Sequence, residues 1–85
     1  MRGSLVIAKD YNGTPLLRRV WEIGSRVVYL SEESQFQKLS TGVDALRPVG
    51  FPIGDVFAYD PAASEAIANG SLDWSVLRRF EALSR

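Results

Sequence analysis

The stretch Leu16-Leu17-Arg18-Arg19-Val20-Trp21-Glu22-Ile23-Gly24-Ser25-Arg26-Val27-Val28-Tyr29-Leu30 reads as two β-runs about a turn. Upstream, Leu5-Val6-Ile7-Ala8 leads into Asn12-Gly13, a pair that tolerates the positive φ angles of a tight hairpin. Gly24-Ser25 suits a II′ turn. Together they spell a three-stranded antiparallel meander over the first third of the chain. With Gly24 and Ser25 as central turn residues, Ile23 opposes Arg26, Trp21 opposes Val28 and Arg19 opposes Leu30. One face then carries Trp21, Ile23, Val28 and Leu30 and forms the core, because cross-strand partners share a face.

The other face is too apolar to stay wet. Val20, Val27 and Tyr29 lie there beside Arg18 and Glu22, so a cover is expected on both sides of the sheet. The first hairpin leaves its register open. A loop of Asn12 and Gly13 alone puts Leu5 and Ile7 with Val20, and a loop one residue longer puts Val6 and Ala8 there. Pro15, which cannot donate a ladder hydrogen bond, complicates either choice.

Downstream, Ser31 to Leu39 reads as a short helix, with Ser31 as cap, Glu32 and Glu33 at its positive pole and Gly42 at its exit. Val49, Phe51 and Ile53 alternate through a Gly/Pro-rich loop, as an irregular edge strand does. Asp55-Val56-Phe57-Ala58-Tyr59 is a fourth strand. Asp60-Pro61 switches the chain into a helix over Ala62 to Asn69, with aspartate as cap and proline at the first position. Ser71 or Asp73 then caps a last amphipathic helix carrying Trp74, Leu77, Phe80 and Leu83. The expected fold class is α+β, mainly β: a meander or barrel with a short inserted helix and two C-terminal helices. Residues 1–85 form a single domain, with a β-rich core over 4–60 and a helical tail over 61–85.

Composition narrows the chemistry. The chain has 85 residues, of which 46% are hydrophobic, enough for a core and against disorder. Ten basic and ten acidic residues leave a net charge of zero, which disfavours nucleic acid as a partner and mildly favours self-association. The run at the start is too short for a secretory signal and no run spans a bilayer, so a cytoplasmic location is expected. The sequence holds neither histidine nor cysteine. That removes the commonest general base, the strongest nucleophile and the usual transition-metal ligands. No cofactor and no metal is expected. Asp55 and Asp60, the acids flanking the fourth strand, have the ordinary roles of turn acid and helix cap.

Binding is the better prospect. Tyr11, beside a turn, and Phe51, in a Gly-Phe-Pro loop, are the aromatics most open to a ligand; Trp21, Tyr29 and Trp74 join them as a groove or small-molecule pocket between sheet and helices. Arg18 and Arg19 point to opposite faces, so the favoured reading is one surface arginine and one snorkelling over the core edge, with a cation–π patch of Arg18 near Tyr29 as the sharper alternative. Arg78, with Arg79, follows Ala66, Gly70 and Val76 at a helix-turn-helix spacing, so a nucleic-acid interface through Arg2, Arg18, Arg26, Arg78, Arg79 and Arg85 is an alternative.

The meander, the short helix, the Gly/Pro corner and the strand Asp55-Val56-Phe57-Ala58-Tyr59 resemble an SH3-like small barrel with a helical tail, over roughly residues 4–60. The chain also resembles small bacterial proteins of unknown function carried on mobile gene cassettes. The resemblance implies a barrel fold. The residues point to a non-enzymatic interaction module that binds a protein partner or itself through a sheet or helix face.

Overall fold

In a computed structural model describing residues 2–42 and 44–80, three strands follow one another as the turn residues require: β1 (Leu5–Lys9), β2 (Pro15–Ile23) and β3 (Val27–Ser31). Then come α1 (Glu33–Thr41), β4 (Val49–Pro52), a 3-10 turn at Ile53–Asp55, β5 (Val56–Ala58), α2 (Pro61–Asn69) and a second 3-10 turn at Trp74–Val76. The strands form one antiparallel five-stranded sheet in the order β4-β3-β2-β1-β5. The fold is a small α+β arrangement, mostly strand, and the sheet is open among the described residues, with β4 and β5 as its margins.

The first turn settles the register that its sequence left open. Asp10 donates to the Thr14 carbonyl and accepts from Gly13 N–H, which leaves Tyr11, Asn12 and Gly13 as the loop, with Gly13 left-handed at φ 82°. Val6 then faces Arg18 and Ala8 faces Leu16.

The second turn departs from expectation. Its central residues are Ser25 and Arg26, because Gly24 N–H donates to the Val27 carbonyl, and Ile23 pairs with Val28. Farther along, Val20 pairs with Leu30 and Glu22 with Tyr29, so Trp21 is an extra residue bulged out of the ladder. The bulge reverses every side chain upstream of it. Val20 is buried in the core, and Trp21 leaves the face assigned to it to meet Phe36 edge-on at 5.9 Å and Arg2 at 4.1 Å.

Two apolar clusters result, on opposite faces as the alternation within β1 demands. Val6, Ala8, Val20, Val28, Leu30, Val56 and Phe80 form one, with Leu16, Ile23, Phe51 and Ile53 against it. Ile7, Phe57 and Ala63 form the other, under Tyr59, Ile67, Leu72, Trp74 and Leu77. The cover of the second face is therefore α2 and the turn after it. It lies over Ile7 and Phe57; Val20, expected with Val27 and Tyr29 beneath that cover, is instead buried in the first cluster.

Helix ends follow local chemistry. Asp60 Oδ1 accepts from Ala62 N–H, Pro61 occupies the first turn, and Gly42 and Gly70 close α1 and α2 in the left-handed region. Ser31 does not cap α1: it ends β3, buried, and Glu32 takes the cap position. The second C-terminal helix, and with it the helix-turn-helix, is not formed over residues 71–80. One 3-10 turn is followed by extended chain that pairs Arg79 with Phe57 on the free side of β5. Ala58 N–H donates to the Arg78 carbonyl and Phe80 N–H to the Val56 carbonyl. Leu83 and Arg85 lie outside the described residues.

Candidate functional site

β3 and β4 build the wall of a half-open cavity. Val28 stands opposite Phe51 and Leu30 opposite Val49, so Phe51 and Val49 fall on the same face as the first cluster. The segment from residue 44 to 48 crosses back over this end of the sheet, held where Leu46 N–H donates to Gln35 Oε1 at 2.9 Å. Between them lies a cavity of about 150 Å³ bounded by Arg18, Leu30, Leu46, Arg47, Val49 and Phe51, with Glu32 and Gln35 at its rim. Its apolar lip is wet: Leu46 is 72% and Val49 59% exposed.

The charged groups at the cavity are two guanidinium groups and the Glu32 carboxylate. Arg18 reaches Glu32 at 3.7 Å, an exposed pairing of little strength. Arg47 belongs to neither of the two ion pairs among the described residues. A neighbouring depression shares Arg47 and is formed by Trp21, Glu22, Tyr29 and Pro48.

The candidate residues thus separate. Arg18 and Phe51 meet in the half-open cavity, and Trp21 and Tyr29 line the depression beside it. Trp74 lies elsewhere, tilted on Phe57 at 5.1 Å with Lys9 over its ring, and does not line the depression of Trp21 and Tyr29. Arg78 borders a shallow hollow with Tyr59, Asp60 and Val76. Tyr11 stands alone at the first turn, 97% exposed. Arg18 and Tyr29 fall on opposite faces, since Leu30 and Arg18 share the cavity while Tyr29 alternates with Leu30, so no cation–π patch joins them. Leu46 and Arg47 were not singled out from sequence. The available signal was an isolated leucine in a Gly/Pro-rich stretch.

Three other arginines, Arg2, Arg19 and Arg79, are drawn into internal contacts. Arg2 lies over Trp21 and donates to its carbonyl; Arg19 donates to Glu33 at 2.6 Å and to the Gly3 carbonyl; Arg79 donates to the Gly54 carbonyl. The Arg19 hydrogen bond, with a second from Gln37, holds the Glu33 carboxyl below the usual carboxylate range. The Ser75 hydroxyl and N–H do the same to Asp73.

Among the described residues no group of three or more acidic, histidine or cysteine side chains converges as metal ligands would, and no helix is long and apolar enough to cross a membrane. Asp60 is engaged as the α2 cap, away from Asp55 in the first 3-10 turn. What the cavity can do chemically is hold an apolar group and meet a negative charge at its rim. Set against protein family models, curated proteins and solved structures, the chain matches none.

Proposed function

We propose that the chain is a non-enzymatic interaction module that docks a protein segment in the cavity between Arg18, Leu46, Val49 and Phe51. The observation that carries this reading is the wet apolar lip, Leu46 and Val49, around a cavity with Arg47 beside it, which forms no ion pair among the described residues. Exposed apolar residues gathered about a concavity favour recognition of another molecule. A chain with neither histidine nor cysteine favours binding over catalysis.

The strand order β4-β3-β2-β1-β5, with a 3-10 turn leading from β4 to β5, supports an SH3-like path for the sheet. In that reading Ile53 bridges the open seam by packing into the first cluster.

Addition of a strand to β4 is a poor mode of docking. Ile53 N–H donates to the Arg26 carbonyl across the Val27–Pro52 pair, so that pair is of the widely spaced type and Gly50 and Pro52 point their backbone outward. Pro52 has no N–H. Gly50 alone offers an outward donor, which leaves side chains to make the contact.

A random peptide library displayed against the immobilised protein tests this. Selected peptides are expected to shift the amide resonances of Leu46, Arg47, Val49 and Phe51, and to lose binding to the exposed-site variant Val49→Asp. If no peptide is selected and the protein also fails to associate with itself, the docking reading is wrong.

A further inference from the structure

Tyr11 and the cavity are a protrusion and a recess on one molecule that do not meet within it. The phenol is 97% exposed and makes no hydrogen bond among the described residues, yet the turn beneath it is rigidly built. Asp10 Oδ1 accepts from Asn12 N–H and Thr14 N–H, both at 2.8 Å, and Gly13 N–H closes on the Asp10 carbonyl at 2.9 Å. A ring presented on an ordered turn loses little freedom when it is bound.

The recess fits such a ring in size and chemistry. Its volume of about 150 Å³ matches that of an apolar cavity able to admit benzene. Leu30 and Phe51 supply apolar surface, and Arg18 and Arg47 can lie against an aromatic face. Charge agrees as well. The Asp10 carboxylate travels with Tyr11 and keeps Oδ2 free of any hydrogen bond among the described residues, and Arg47 at the rim has no ion-pair partner there.

We infer that Tyr11 of one copy of this chain inserts into the Arg18–Phe51 cavity of a second copy, with Asp10 meeting Arg47. This rests on the docking reading above and names its occupant. The two patches differ, so the contact is heterologous: two copies close on each other reciprocally, or successive copies run head to tail. One aromatic anchor buries a small area, and the association is weak, at the low end of specific interfaces. Zero net charge leaves little long-range repulsion against it.

The test is sedimentation or NMR correlation time from about 0.05 to 2 mM, the range that a contact this small demands. Wild type is expected to gain mass with concentration. Tyr11→Ala, at a site with nothing packed on it, is expected to weaken that gain by roughly 30-fold, as loss of a buried aromatic anchor does. Tyr11→Phe retains it. Val49→Asp, which spoils the recess, also abolishes it. Mixing Tyr11→Ala with Val49→Asp restores one contact per pair, because one brings an intact recess and the other an intact ring, and the mixture gains mass toward a heterodimer. A wild type that stays monomeric throughout, a Tyr11→Ala protein that associates as wild type does, or a mixture that remains monomeric overturns the inference. If library peptides bind the cavity while wild type is monomeric, the docking surface stands and Tyr11 is not its occupant.

Discussion

Trp21 is the residue on which sequence and structure part company. Placed by alternation, it shares a core face with Ile23, Val28 and Leu30; in the structure those three stay inside and Trp21 bulges out, so Val20 takes the inward place. Nothing local announces the bulge. Its partners, Phe36 on α1 and Arg2 before β1, are distant in sequence, and a one-residue change of register is decided by such contacts. Arg19, its neighbour, ties the same surface to α1 through Glu33. The consequence is a pH dependence with a definite sign. The Glu33 carboxyl titrates below its ordinary value of 4.5, so the pairing contributes stability above that value and loses it as pH falls through the depressed one. Wild type should therefore melt above Glu33→Gln at neutral pH, and the two melting curves should converge in acid. A gap of constant size from neutral pH into acid would show that the ion pair is not its cause.

At the scale of elements, legibility followed how local the determinants are. The strands, α1 and α2 were visible because their turns and caps, Gly13, Gly42, Asp60-Pro61 and Gly70, act within a few residues. The end of the chain was misread for the opposite reason. Trp74, Leu77 and Phe80 have helical spacing, but they serve different faces: Trp74 and Leu77 join the Ile7–Phe57 cluster, and Phe80 joins the Val6–Val20 cluster. Extended chain running beside β5 lets successive residues reach around the margin of the sheet, which one helix stripe cannot do. The cavity was half legible. Phe51 and Arg18 had been marked from sequence, but only the crossing of residues 44–48 brings Leu46 and Arg47 to them. The role given to Phe80 has a measurable size. Phe80→Ala should cost about 3–5 kcal/mol in denaturant unfolding, the range for emptying a buried phenylalanine site. A loss below about 1 kcal/mol would mean that the site collapses without it or that Phe80 is not a core residue.

For the whole molecule, the radius of gyration of 12.6 Å is near the ~12 Å expected of one domain of this length. A domain so small has a stability of only ~5–10 kcal/mol, so each layer is needed. A chain ending at Asp60 lacks α2, Trp74, Leu77 and Phe80. It should uncover Ile7 and Phe57, free the outer side of β5, and show no cooperative melting transition or aggregate on purification. A monodisperse truncation with the wild-type melting curve would contradict the two-faced core. The order of the strands also bears on how the chain emerges during synthesis. β1 has Val6, Ile7 and Ala8 buried, and it lies between β2 and β5. β2 pairs with it after a short loop, but Ala58, its partner on the other side, is made some fifty residues later. At ordinary elongation rates that interval is about 3–10 s. For those seconds β1 is an apolar strand with one unpaired side, and the nascent meander depends on its surroundings until β5 arrives to shield it.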